Sequence, residues 1–262
     1  MRVGYNRGMQ QTIPGLEEAV ALLTSVDALV VTTGAGMSSE SGIPTFRDAP
    51  GAVWANYDPA DLATPEGFLR DPALVWRWYA DRRAIIAGVR PHEGHRAIAA
   101  LEALYEPFLL LTQNIDNLHR AAGSTRIIEL HGNIFRYKCF DRGHKIERLP
   151  ETAEVPPRCA CGSMIRPDVV WFGELLDSDH LELAYGALVS CGALLVVGTS
   201  GIVYPAAGFP ALAKQAGARV IEVNREETPI TDIADVSLRA RAGDALHALV
   251  SAIRERRGAG QP

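Results

Sequence analysis

Three groups of residues have types and spacings that could do chemistry. The first is glycines and hydroxyls set directly behind apolar runs, in Gly34-Ala35-Gly36-Met37-Ser38 and in Gly198-Thr199-Ser200. Glycines behind a strand let backbone approach a pyrophosphate, and free N–H groups there can face the anion. Ser39 replaces the third glycine of the usual dinucleotide fingerprint, and no acidic residue stands out about twenty positions on. By itself, Gly34–Ser38 therefore reads equally well as a tight turn with no ligand. A third apolar run ends in Asn224-Arg225-Glu226, polar groups suited to ribose hydroxyls. The second group is Tyr79 and Arg82, which share a face if their segment is helical. A phenol beside a guanidinium makes a carboxylate receptor with two parallel donors from Arg and one from Tyr. The competing reading is a packing Tyr79 and a solvated Arg82, since Asp81 and Arg83 flank the pair. The third group is Cys139, Cys159 and Cys161, clustered in one polar stretch that suits a metal.

The elements that must position these groups alternate in type. Short, continuously apolar runs predict strands at Asp27–Thr32, Phe108–Thr112, Ile127–Leu130, Val169–Phe172, Ala193–Val197 and Arg219–Val223. Helices are predicted over Gly15–Thr24, His92–Leu104, His180–Ser190, Ala206–Ala216 and Asp244–Arg256. Such βα alternation predicts a doubly wound, Rossmann-like parallel sheet. Ligands of such sheets bind beyond the carboxyl ends of the strands, where the three polar runs fall. Two stretches break the rhythm and predict insertions that build a second, smaller lobe. Residues 41–90 carry Pro and Gly breaks around one strong helix, capped by Asp71, opened by Pro72 and closed by Gly88. Residues 133–165 are polar and hold the three clustered cysteines. The large lobe is then 12–40, 91–132 and 166–257.

Bulk properties exclude several classes. A net charge of -5 argues against nucleic acid as the main partner. No run approaches the roughly 18 apolar residues of a membrane span, and residues 1–11 lack the apolar core of a signal peptide. Four cysteines in 262 residues are too few for a disulfide scaffold, which points to a reducing, cytoplasmic setting. Cys191, between a helix and a buried strand, reads as core, and His92, His95 and His119 read as capping or packing residues.

Several segments, in order, resemble the sirtuin signature. They are Gly34–Ser38 followed by Gly42-Ile43-Pro44-Thr45-Phe46-Arg47, then Thr112-Gln113-Asn114-Ile115-Asp116, then His131-Gly132. Val169-Val170-Trp171-Phe172-Gly173-Glu174, Gly198-Thr199-Ser200 and Val223-Asn224 complete the set, which spans about Gly15 to Leu249. The resemblance implies a sirtuin fold over residues 12–257, with NAD and an acylated lysine meeting in a cleft between the lobes. It places the nicotinamide end of NAD near Ala35, Asn114, Ile115 and Asp116. It assigns Thr45, Phe46 and Arg47 to a loop over the cofactor, and Gln113 and Ala242 to further cofactor contacts. Acylated-lysine proteins would bind as an extended peptide, an added strand between Val169–Glu174 and Gly201–Tyr204.

By the same resemblance, an acyl-lysine carbonyl oxygen captures the sugar carbon as nicotinamide leaves. A neutral His131 suits removal of a proton from a ribose hydroxyl, which then attacks the acyl carbon. Asn114 and Asp116 would position a water and the carboxamide. In isolation His131 reads better as a buried histidine satisfying backbone at a strand end; the Asn114 segment tips it toward the base. Tyr79 and Arg82 resemble the marker of the sirtuin branch that removes succinyl and malonyl groups. Ala63, a small residue leaving room for a long acyl group, also matches that branch. Sirtuins usually hold a structural zinc with two Cys-x-x-Cys pairs. Here the first pair has Arg142 as its second member, and the other is contracted to Cys159-Ala160-Cys161. His144 could supply the fourth ligand of a Cys3His site; the alternative is a lobe that folds without metal. Two other readings use the same scaffold, a mono-ADP-ribosyltransferase and a non-catalytic NAD or ADP-ribose-binding module. The joint presence of Asn114, Asp116 and His131 speaks against the second, and a Tyr79/Arg82 pocket against the first.

Overall fold

A computed structural model describes residues 12–44 and 58–259. Six parallel strands form the main sheet: β1 (Leu29–Thr33), β2 (Phe108–Thr112), β3 (Ile127–Glu129), β7 (Ala193–Val197), β8 (Arg219–Asn224) and β9 (Val236–Arg239). Their spatial order is β3-β2-β1-β7-β8-β9. Alternate side chains go to opposite faces: Leu29, Val31 and Leu110 to one core, Val30 and Leu111 to the other. A strand covered on both faces has no solvent side, which is why these runs are continuously apolar. The first face is covered by α1 (Leu16–Thr24), α5 (Glu93–Glu102) and α9 (Ala242–Gly258), the second by α7 (Ser178–Ser190) and α8 (Phe209–Gln215). The chain leaves β1 for β2 on one side, while β7 flanks β1 on the other. That reversal creates a crevice above the carboxyl ends of β1 and β7. Among the described residues no helix is long and apolar enough to cross a membrane.

The second lobe is built on an antiparallel sheet of β4 (Gly132–Cys139), β5 (Lys145–Ile146) and β6 (Ile165–Val169), in the order β5-β4-β6. Short helices α2 (Pro59–Leu62) and α3 (Pro65–Arg70) precede α4 (Pro72–Ala87). The side chain of Asp71 accepts from Leu74 N at 2.9 Å, and Gly88 follows the last turn. Such a cap contributes about 1 kcal/mol. A stripe of Val75, Trp78, Tyr79, Arg82 and Ile86 faces inward at helical spacing. Leu62, Phe68, Ile134, Val169 and Trp171 pack with its apolar members as a separate core. Helix α6 (Leu118–Ala121) is a single turn behind the Asn114–Asp116 segment.

One expected strand is placed differently. Val169–Phe172 does not join the main sheet: Val169 ends β6, and Val170–Phe172 is irregular, with Val170 N bonded to His131 O and Phe172 N to Ala63 O. Its apolarity reflects Val169 and Trp171 entering the second lobe's core, a cause that a four-residue run cannot distinguish from sheet burial. Strands β4, β5 and β9 were not expected. β9 is an edge strand whose Ser237 and Arg239 turn to Glu222, so it lacks a continuous apolar run.

Candidate active site

At the crevice the loops after β1 and β7 touch glycine to glycine. Gly34 N bonds to Val197 O at 3.1 Å and Gly36 N to Gly198 O at 2.8 Å. A Cβ on Gly34 would lie 2.8 Å from Thr199 Cα, and one on Gly198, whose φ is +59°, would overlap Met37 N. The glycines are thus required by the close approach of two loops. The N–H groups of Gly34 and Gly36 themselves are taken by β7 and its loop. The N–H groups of Ala35, Thr199 and Ser200 are the ones without a partner among the described residues. Gln113 Nε2 donates to Thr199 Oγ1 at 3.2 Å and Asn224 Nδ2 to Thr199 O at 2.8 Å, fixing this loop from both sides. Arg225 and Glu226 are exposed beyond β8, and Ala242 is buried at the first turn of α9. Thr45, Phe46 and Arg47 lie outside the described residues.

Beside this loop pair sits a buried polar hub. Ser38 Oγ donates to Asp116 Oδ2 at 2.6 Å, and Asn114 Nδ2 donates to Ser38 Oγ at 3.1 Å and to Gly34 O at 3.0 Å. Leu118 N donates to Asp116 Oδ1 at 2.9 Å. Burial pushes the Asp116 carboxyl above its ordinary value, opposed by the hydrogen bonds from Ser38 and Leu118. The Asn114 amide oxygen has no donor among the described residues, so that side chain is oriented with its acceptor free. Ile115 packs against the second lobe's core, which holds Asn114 and Asp116 on either side of it in place.

His131 lies between β3 and β4. Its Nδ1 is 3.0 Å from Gln113 O. A carbonyl only accepts, so Nδ1 carries the proton and Nε2 is the acceptor. Burial holds the imidazole below its ordinary value, and the Gln113 bond works the other way. The positions either side of it are anchored. Glu129, buried at the end of β3, accepts from Asn133 Nδ2 and Arg136 Nη1, both at 2.6 Å, and Arg136 Nε reaches Asp168 Oδ2 at 3.1 Å. This brace was not anticipated; a glutamate closing an apolar strand was its signal.

Tyr79 and Arg82 are both buried, at 4% and 9% exposure, so the solvated reading of Arg82 fails. Trp171 Nε1 donates to Tyr79 Oη at 2.9 Å. The Arg82 guanidinium lies 5.6 Å from the Trp78 ring centre and has no hydrogen bond or ion pair among the described residues. Its charge is felt by Asp116, which links this face to the polar hub. Ala63 gives its carbonyl to Phe172 N. Along Val170-Trp171-Phe172 all three N–H groups are engaged internally, whereas Gly173 N is free among the described residues and Phe172 is exposed. His92, His95 and His119 are confirmed as capping and packing residues. His92 Nδ1 accepts from Gly94 N at the start of α5, and the His95 and His119 rings are buried 4.9 Å apart.

Cys139, Cys159, Cys161 and His144 converge, with one donor atom from each all within 4.8 Å of one another. Tight turns bring the donors together: Cys139 N to His144 O on one side, Cys159 N to Ser163 O on the other, each 2.9 Å. Tetrahedral zinc with bonds near 2.3 Å spaces thiolates about 3.8 Å apart. The Cys139–Cys161 and Cys139–Cys159 separations of 3.5 and 3.6 Å match, while Cys159 and Cys161, at 2.7 Å, would open apart. Three thiolates and an imidazole are a suitable zinc donor set, and Arg142 is not part of it. Cys191 is buried away from them, in the core beneath α7.

Comparison with known proteins agrees with this architecture. The model of the Sir2 family matches residues 34–205. A Pyrobaculum aerophilum protein named NAD-dependent protein deacylase 2 is 52% identical over 90% of this chain and 94% of its own length. An Aquifex aeolicus NAD-dependent protein deacylase is 49% identical over 88% of this chain and 97% of its own. A crystal structure described as a Sir2 homolog–NAD complex superposes with a TM-score of 0.84 at 42% identity, covering 92% of this chain and 94% of that one. A complex described as Sir2–p53 peptide–NAD+ gives 0.79 at 32% identity, covering 94% and 99%. The fold, the glycine-packed crevice and these relatives agree: the chain belongs to the Sir2 family, the sirtuins.

Proposed function

We propose that this chain is an NAD-dependent protein lysine deacylase whose acyl pocket favours succinyl and malonyl groups. The observation that supports the chemistry best is the neutral His131, with Nε2 left as a free acceptor, at the same strand-end cleft as the Asn114–Ser38–Asp116 hub. NAD, when bound, would supply the ADP-ribose that takes the acyl group; with one water consumed, the products would be free lysine, nicotinamide and O-acyl-ADP-ribose. The unpaired N–H groups of Ala35, Thr199 and Ser200 offer donors for its phosphates. Asn114 presents its amide oxygen as an acceptor, and Ser38 fixes its rotamer. Asp116, held by two donors, has its carboxylate oxygens fixed for positioning rather than proton transfer. His131 Nε2 removes the proton from a ribose hydroxyl, and Gln113 O steadies the ring as it becomes charged. Peptide backbone adds beside Val170–Gly173, where Gly173 N is the free donor. Cys139, His144, Cys159 and Cys161 hold a structural zinc. Strand β4 puts Cys139 at the opposite end of the second lobe's sheet from His131, and no zinc donor lies beside the imidazole, so the metal's part is structural.

The acyl preference rests on Arg82, a buried cation that no described residue pairs. Burying a charge without a partner is costly, and an acyl carboxylate would relieve that cost. Rates on acetyl-, malonyl- and succinyl-lysine versions of one peptide, for wild type and Arg82→Met, test the reading. A charge-assisted bond contributes about 1.5–3 kcal/mol, so the acid-acyl to acetyl ratio of kcat/KM should fall at least about tenfold. An unchanged ratio refutes the acyl preference. No nicotinamide release with any acylated peptide refutes the deacylase.

A further inference from the structure

The mechanism above leaves unused a chain of contacts from Arg166 to Tyr79. Arg166 is the largest fully buried side chain among the described residues, at 1% exposure. Its guanidinium carbon lies over Trp171, 3.2 Å from the ring centre. One of its nitrogens donates to Val169 O at 2.7 Å, and the group pairs through both terminal nitrogens with Glu174. Glu174 Oε2 in turn accepts from Trp171 N at 2.8 Å. Phe68 closes another side of the indole, at 5.3 Å between ring centres. Trp171 is therefore clamped by backbone, by a stacked cation and by an aromatic neighbour. The indole has one polar atom, and it donates to Tyr79 Oη.

We propose that Trp171 is a specificity-positioning residue: by filling the acceptor side of the Tyr79 hydroxyl, it leaves the Tyr79 O–H free as a donor to an acyl-chain carboxylate beside Arg82. The inference rests on the reading of Tyr79 and Arg82 as a carboxylate receptor. An indole N–H can only donate, so Tyr79 must use a lone pair toward it. The phenol proton then has to point elsewhere, and no acceptor for it exists among the described residues. Burial pushes the Tyr79 phenol up to about 12, so it keeps that proton across the working pH range. Tyr79 is braced edge-on by Trp78 at 4.7 Å, and Arg82 lies over the same Trp78 ring. Phenol and guanidinium thus share one aromatic wall. Trp171 also belongs to the segment that would pair with peptide backbone, so one residue ties peptide docking to recognition of the acyl terminus.

The test is kcat and KM on succinyl- and acetyl-lysine versions of one peptide for wild type, Trp171→Phe, Tyr79→Phe and the double variant. Trp171→Phe should lower the succinyl-to-acetyl ratio of kcat/KM by roughly 5- to 10-fold, the order of one hydrogen bond. The loss should appear mainly as a raised KM for succinyl peptide. The double variant should match Tyr79→Phe, because both act through one hydroxyl proton. A merely structural Trp171 would lower both peptides in proportion. An unchanged ratio in Trp171→Phe alongside a collapsed ratio in Tyr79→Phe, or additive losses in the double, overturns the positioning role and leaves the receptor standing. An intact ratio in both Tyr79→Phe and Arg82→Met overturns the receptor itself. If Trp171→Phe does not fold, the assigned Trp171 indole N–H resonance decides: it should move upfield in Tyr79→Phe, and a stationary signal overturns the proposal.

Discussion

His131 Nδ1 sits 3.0 Å from Gln113 O, and this one contact sets which ring nitrogen is left as the acceptor. With Nδ1–H given to a carbonyl, Nε2 is the acceptor, and burial keeps the ring neutral below its ordinary value of 6.5. As the proposed base, His131 should be competent at and above pH 6.5 and be lost as pH falls further and the ring protonates. The acid limb of the kcat/KM profile should have its midpoint below 6.5. His131→Ala should cost roughly 10²–10⁴-fold. A midpoint above 7 would contradict this assignment.

Acid stability should depend on two other histidines. His95 and His119 are buried beside each other, and His95 has no hydrogen-bond partner at either nitrogen among the described residues. Burial first, then the neighbouring rings, lower His95 to about 2; burial and then His92 lower His119 to about 3. In the unfolded chain both titrate near 6.5, so the unfolded state binds more protons below that pH. Their contribution is fully present above pH 6.5 and declines as pH falls toward 3, by up to about 1.4 kcal/mol per pH unit per ring. Denaturant melts between pH 7 and 5 should show falling stability. His95→Gln should flatten that slope; an unaltered slope would remove His95 as its source.

The glycine contact between the β1 and β7 loops predicts a sharp intolerance. Gly198→Ala would force a Cβ against Met37 N and Gly36 at a φ of +59°. We expect a loss of about 2–4 kcal/mol in urea melts, with KM for NAD rising because Thr199 and Ser200 follow directly. A stability loss below about 0.5 kcal/mol would show that the loops can separate freely.

Zinc should be present at one ion per chain and be needed for the second lobe. Cys139→Ser should abolish binding, since Cys139 is fully buried and within 3.6 Å of both other thiols, and His144→Ala, at an exposed position, should weaken it. Chelation should lower Tm and loosen β4–β6 in hydrogen exchange. A protein that releases no zinc on denaturation would mark the lobe as metal-free.

The sequence by itself determined the parallel sheet, because strands buried on both faces must be apolar at every position, and β2 and β7 were legible residue by residue. It also determined α4, whose Asp71, Pro72 and Gly88 are local signals, whereas His144 joins Cys139, Cys159 and Cys161 only in the folded chain. Val169–Phe172 shows where one-dimensional reading ends, since its apolar run is buried in the second lobe and not in the sheet. Which N–H groups stay free at Gly34–Ser38, which nitrogen of His131 accepts, and that Arg82 is enclosed all depend on partners 18 to more than 160 residues away. Hydrogen-bond direction and desolvation belong to pairs and enclosures, and only the tertiary structure assembles those.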